Sequence, residues 1–145
     1  MNPTDLQGPV AITALYFTLW YALLLGLQRG TKYRLIREYR ARGEVFDRYH
    51  GTDPEMLAAD RAVANTLEQM GPFLTTLWLH AVLVSPRSAT ALGLAYVVIR
   101  AIYPFLLGRS VSKTQSKRVI FATGPAYLII LTLGGSTVWT VFTAG

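Results

Sequence analysis

Charged side chains fall so sparsely along the chain that they divide it into blocks. Asp5 is the only charge before Arg29, Glu68 the only one between Arg61 and Arg87, and Arg100 the only one between Arg87 and Arg109; none follows Arg118. The apolar stretches between them are long. Residues 10–27 run eighteen positions without a charge, and 62–84, 89–107 and 119–144 carry at most one each. At a rise of about 1.5 Å per residue, each stretch is long enough for a hydrocarbon core of about 30 Å. A soluble bundle needs a polar stripe along every helix, and a segment such as AYVVIRAIYPFLLG, residues 95–108, has none. The pattern therefore predicts an all-α fold, an integral membrane four-helix bundle in one domain over 1–145, with helices near 10–28, 61–84, 89–108 and 119–144. A cleaved signal peptide does not fit the first segment. Asp5 stands where a basic n-region belongs, and the apolar run ends in Gln28 and Arg29 rather than at small residues.

The connections carry the remaining charge. Residues 29–61 hold eight Lys or Arg, residues 109–118 hold four, and the opposite side holds only Arg87, with Arg100 completing the fourteen. Basic loops stay in the cytoplasm, so the loop 29–60 and the loop 109–118 are expected there and both termini on the other side. The net charge of +6 is thereby explained by topology and contact with lipid headgroups, and nucleic acid is not an expected partner. Ser85, Pro86, Arg87 and Ser88 form a tight turn that makes the second and third helices antiparallel neighbours. In the long loop, TKYRLIREYRARGEVF reads as helical, so the first helix is expected to run on past the membrane or bend along its surface. Thr52 or Asp53 is placed to cap the next helix. The complete absence of cysteine excludes a disulfide framework. His50 and His80 lie on opposite sides of the membrane, so no metal site is expected. Trp20, Trp78, Tyr96 and Trp139 read as belt or core aromatics, and Gly124, Gly134 and Gly135 as sites of close helix packing.

Chemistry is carried by the polar residues inside these helices. Arg61, Asn65 and Glu68 stand at i, i+4 and i+7, which puts them along one face of the second helix. Arg100 is at similar depth in the antiparallel third helix, so a pair between Glu68 and Arg100 is expected. An unpaired charge at mid-membrane costs roughly 2.5–3.5 kcal/mol. Glu68 precedes Pro72 by four residues and Arg100 precedes Pro104 by four, so each proline removes the donor to the carbonyl of a buried charged residue. Kinks are expected at both places, with a polar pocket around the freed carbonyls; a closed pair that only fixes packing is the competing reading.

These residues resemble the MAPEG superfamily, the membrane-associated proteins of eicosanoid and glutathione metabolism. DRAVANTLEQMGPFLTTLWL, residues 60–79, is similar to the family's R-x-x-x-N-x-x-E pattern followed by an F-L-x-x-L-W run, with Arg61, Asn65, Glu68, Phe73, Leu74, Leu77 and Trp78 in register. GLAYVVIRAIY, residues 93–103, is similar to its Y-x-x-x-R-x-x-Y segment through Tyr96, Arg100 and Tyr103. The resemblance implies a bundle that forms a homotrimer and binds glutathione, as co-substrate, between subunits near the cytoplasmic face. It implies that Arg61, Asn65, Glu68, Arg100 and Tyr103 form the binding site, and that a separate cation stabilises the thiolate. The chemistry is coherent. An arginine takes a carboxylate by charge-assisted bonds, a glutamate takes an ammonium, a cation beside sulfur lowers a thiol pKa, and an apolar groove holds a lipophilic small molecule beside it.

The chain departs from the family where turnover is decided. After Tyr103 it reads Pro104, Phe105, Leu106, Leu107 in place of a Gly-Tyr pair, and Thr114 falls near the position of the thiolate-stabilising arginine. Arg29, Lys113 and Arg118 are the candidate catalytic cations, with Lys117 close by. Two functions stay open: a glutathione transferase or peroxidase acting on lipophilic electrophiles, and a non-catalytic bundle of the same fold that binds a lipid or a membrane partner.

Overall fold

The computed structural model describes residues 3–108 and 116–144, all of them in helices or their connections, with no strand among them. A 3-10 turn, Pro3–Leu6, leads into α1 (Gln7–Ala22), which passes through a π-helical segment, Leu23–Gln28, directly into α2 (Arg29–Ala41). α3 (Pro54–Leu83), α4 (Pro86–Leu107) and α5 (Ser116–Thr143) follow. The first helix thus runs on as the sequence indicates, with the change from apolar to basic composition at the π-to-α2 junction.

Two boundaries differ from expectation because caps act before apolarity begins. α3 starts at Pro54 rather than near 61, since Asp53 Oδ1 accepts the backbone N–H of Glu55 (3.0 Å) and of Met56 (3.1 Å) and Pro54 fills the first turn. α4 starts at Pro86, capped by the Ser85 side chain. At the other end of α2, Gly43 takes φ +74°, a left-handed conformation that lets Glu44 N–H reach the Tyr39 carbonyl at 2.9 Å. The connection to α3 is built on carboxylates. Asp47 accepts the backbone N–H groups of His50 and Tyr49, both at 2.9 Å, and these bonds hold its carboxyl below the usual carboxylate range.

α4 packs on α1, α3 and α5, and α3 packs on α1, α2, α4 and α5. Their common core is aromatic. Phe73 and Tyr96 stack with ring centroids 3.9 Å apart, and Tyr16 lies against both at 5.1 and 5.9 Å. Many large apolar side chains instead face outward along the helices, Leu131, Val138, Trp139 and Phe142 among them, as lipid-facing positions require. Three helical stretches are long and apolar enough to cross a membrane, Thr4–Ala41, Pro86–Leu107 and Arg118–Thr143. α3 is less apolar than the sequence blocks suggested, because Asn65, Thr66, Glu68, Gln69, Thr75, Thr76 and His80 dilute its hydrophobic run.

α3 and α4 stay helical through Pro72 and Pro104. Of the glycines expected at close helix packing, only Gly134 faces another helix within contact distance. Gly124 and Gly135 have open space where a Cβ would stand, and at Gly134 it would meet Thr76 Cγ2 at 3.4 Å. The tight contacts are Gly8 on α1, where a Cβ would run into the Thr90 side chain of α4, and Gly93 on α4, where a Cβ would lie 2.8 Å from Ile12 Cγ2 and 2.9 Å from Leu77 Cδ1. Gly93→Val is therefore expected to destabilise by about 1–3 kcal/mol, the usual cost of overpacking a filled core. The midpoint of denaturation in detergent micelles checks it; an unchanged midpoint means that α1 and α3 yield freely to the added methyls.

Candidate functional site

Arg61, Asn65 and Glu68 share one face of α3, as their spacing requires, with Arg61 and Glu68 exposed and Asn65 half-buried. Behind them stands Arg100 on α4, 1% exposed. The expected pair between Glu68 and Arg100 is absent: Arg100 Nη2 donates instead to Asn65 Oδ1 at 2.7 Å and to Thr66 Oγ1 at 3.3 Å. Helical geometry explains the correction. Glu68 is turned about 200° from Thr66 at 100° per residue, so the face that reaches α4 carries Thr66 and the edge carries Asn65. Glu68 points away from the core and forms no ion pair among the described residues.

The Arg100 contact fixes the chemistry of Asn65. An arginine can only donate, so the amide atom facing it is the oxygen, and the Nδ2 donors are left for the protomer surface. Along the α3 face the site thus offers a cation at Arg61, a neutral donor at Asn65 and an anionic acceptor at Glu68. Tyr103, 4% exposed, lies under Arg100 with its ring centroid 4.6 Å from Cζ.

Three residues that sequence reading missed complete the support. Tyr16 on α1, fully buried, donates its phenol to the Thr66 carbonyl at 2.7 Å, one residue from Asn65. Its partner is fifty residues away, and no local spacing announces it. Thr66 itself stands beside Asn65 in the motif. Tyr127 on α5 receives the Gln69 side-chain amide at 3.3 Å and brings a second phenol to the side of α3 next to Glu68. Three buried donor groups, Arg100 Nε, the Tyr96 hydroxyl and Trp20 Nε1, and one buried acceptor, Gln69 Oε1, have no partner among the described residues.

The candidate cations are scattered. Arg29 begins α2 with its guanidinium 5.6 Å from the Tyr33 ring centroid. Arg118 is exposed on the first turns of α5, one turn before Ala122, which packs with Ala62 and Tyr103. Lys113, Thr114 and the side chain of Lys117 lie outside the described residues. Leu107 is buried in the same cluster as Ala122. An apolar cavity of about 620 Å³ opens elsewhere, between the π segment, the start of α3 and the end of α4, with Leu19, Leu23, Leu27, Pro104 and Phe105 in its wall and the paired Arg34 and Glu55 at its edge. No group of His, Asp or Glu among the described residues is arranged to hold a metal ion.

Comparison with known proteins bears on identity. A family model described as the MAPEG family matches residues 8–139, nearly the whole chain. An uncharacterized protein of Synechocystis sp., sll1147, is 31% identical over 142 residues, covering 96% of this chain and 94% of that one. With the motif residues on one helix face and their buried arginine behind them, the match along almost the full length settles the assignment: this chain belongs to the MAPEG family.

Proposed function

We propose that the protein is a four-span membrane protein that binds glutathione on the Arg61, Asn65, Glu68 face between the subunits of a homotrimer. The loops 29–61 and 109–118 lie in the cytoplasm and both termini on the other side, in accord with the distribution of Lys and Arg. The observation that carries the reading is the pinning of Asn65 by Arg100, which turns the α3 face into an ordered row of cation, donor and acceptor. Such a row suits a peptide with a carboxylate at one end and an ammonium at the other. Its exposure in the protomer suits a site that a second subunit closes, and the 620 Å³ cavity provides apolar volume for a lipophilic ligand. For the cation that activates the thiolate we assign Arg118, which adjoins α3 through Ala122 and Ala62. The bound thiolate then adds to a lipophilic electrophile or displaces its leaving group, or, with a second glutathione, reduces a lipid hydroperoxide to the alcohol and water as the two thiols become a disulfide.

A second reading rests on Leu107. This side chain is packed inside the protomer where glutathione-using relatives of this fold are expected to offer a tyrosine, and that favours a bundle which binds without turnover.

Melting of the detergent-purified protein with and without glutathione tests binding. Glutathione at about 100 times its dissociation constant stabilises by roughly 2.7 kcal/mol. Glu68→Gln and Arg61→Ala each remove a bond to a charged group and are expected to weaken binding by about 10- to 150-fold, so the stabilisation at the same concentration falls from roughly 2.7 to about 0.3–1.4 kcal/mol. Both side chains are exposed, so the melting temperatures without ligand stay close to wild type. A shift in Glu68→Gln as large as that of wild type removes this face from the glutathione site. Turnover with hydrophobic electrophiles by wild type, lost in Arg118→Gln, then separates the enzyme from the non-catalytic bundle.

A further inference from the structure

The junction where the π segment becomes α2 sets basic side chains against apolar surface. Leu24 and Leu25 form the floor of a shallow pocket of about 350 Å³, and Leu25 is 53% exposed on the outward surface of the helix. Arg29, Lys32 and Arg48 stand on its rim, with the phenols of Tyr33 and Tyr49 beside them. The charges here are not balanced. Arg48 is held by Asp60 through two bonds of 2.9 Å, and Gln28 adds a third donor to the same carboxylate at 2.8 Å. Arg29 and Lys32 have no acidic partner among the described residues and share only the Tyr33 ring, at 5.6 and 5.8 Å. The pocket thus gathers three cations beside Leu24 and Leu25, and only Arg48 among them has a carboxylate partner.

We propose that this pocket binds the headgroup of an anionic phospholipid. The phosphate sits between Arg29 and Lys32, with the remaining donors of Arg48 and the Tyr49 hydroxyl within the same rim, and an acyl chain lies along Leu24 and Leu25 toward the exposed Tyr21 and Phe17. A soluble anion uses only the rim. A lipid uses rim and floor together, and the continuity of the pocket across the change from apolar to basic surface is what selects it. A zwitterionic headgroup brings its own cation to a rim that already holds three, and is disfavoured. The site does not depend on the glutathione reading: it uses none of Arg61, Asn65, Glu68, Arg100 or Tyr103.

The test titrates the full-length protein in detergent with phosphatidylglycerol, phosphatidylcholine or inorganic phosphate and follows its melting temperature. Native mass spectrometry of retained lipid gives a second readout that does not depend on melting. Wild type is expected to be stabilised by phosphatidylglycerol alone and to retain it. The double variant Arg29→Gln/Lys32→Gln is expected to bind it more weakly by about fivefold for each cation removed, or about thirtyfold in all. A charge-matched control, Arg37→Gln/Arg40→Gln, removes two exposed cations of α2 that do not line the pocket and is expected to keep wild-type affinity. Equal losses in the two doubles mean diffuse attraction to the basic surface and overturn the site. Equal stabilisation by inorganic phosphate overturns the lipid as its occupant, and equal stabilisation by phosphatidylcholine overturns the role of the rim.

Discussion

Phe73→Ala is expected to be the most destabilising single change in the core, costing about 3 kcal/mol or more. Phe73 has no exposed surface, lies flat on Tyr96 with an interplanar angle of 11°, and touches Tyr16 on the other side. Removing it leaves a ring-sized void where α1, α3 and α4 meet. In a membrane protein the unfolded reference still holds its side chains in lipid, so the loss comes from missing contacts and the void rather than from transfer to water. That puts the expected value at the low end of the range of about 3–5 kcal/mol known for water-soluble cores. Phe73→Leu, which refills part of the space, should recover about half of it. Denaturation in mixed micelles, followed by circular dichroism, reads both. A loss below about 1 kcal/mol for the alanine variant would mean that Tyr16 and Tyr96 close over the gap. The glutathione shift is expected to weaken in parallel, because Tyr16 reaches the Thr66 carbonyl, next to Asn65, only while the stack holds it.

Blocks of apolar sequence bounded by single charges made the helices legible, and the i, i+4, i+7 spacing made the Arg61 face legible. Both depend only on local geometry. What sequence could not give is the partner of Arg100. Depth matched Glu68 to it correctly, but depth is one coordinate and rotation about the helix axis is the other. Rotation is set by which side of α3 packs on α4, and that follows from Ala62, Thr66, Phe73 and Leu77 facing inward together. Once those four are buried, Glu68 is turned outward. The same reasoning explains the early starts of α3 and α4: Asp53 with Pro54 and Ser85 with Pro86 are end signals stronger than the hydropathy that follows them. The four apolar blocks are not equivalent. α3 is the helix with the site, and the polar residues of the site are what separate it from the three more apolar spans.

Asn65→Asp should have the largest effect on ligand binding for the smallest change in shape. The two side chains are isosteric, and the oxygen that accepts from Arg100 at 2.7 Å is kept. Inside the protein the change is favourable or neutral, since a buried guanidinium without an acidic partner gains a carboxylate at hydrogen-bond distance. Toward the ligand it reverses the site. The outward Nδ2 donors become a second carboxylate oxygen, which meets the incoming carboxylate of glutathione with an acceptor and shared negative charge where a donor had been. Losing a hydrogen bond to a charged group costs about 1.5–3 kcal/mol, and repulsion adds to it, so affinity is expected to fall by at least about a hundredfold while the melting temperature without ligand stays level or rises. Opposite movement of stability and binding is the signature to look for, by melting with and without glutathione. If affinity survives, Asn65 is oriented by Arg100 for packing alone and the ligand lies elsewhere. Loss of both stability and affinity points instead to a site where the Arg100 charge is already neutralised, by a group that the new carboxylate displaces.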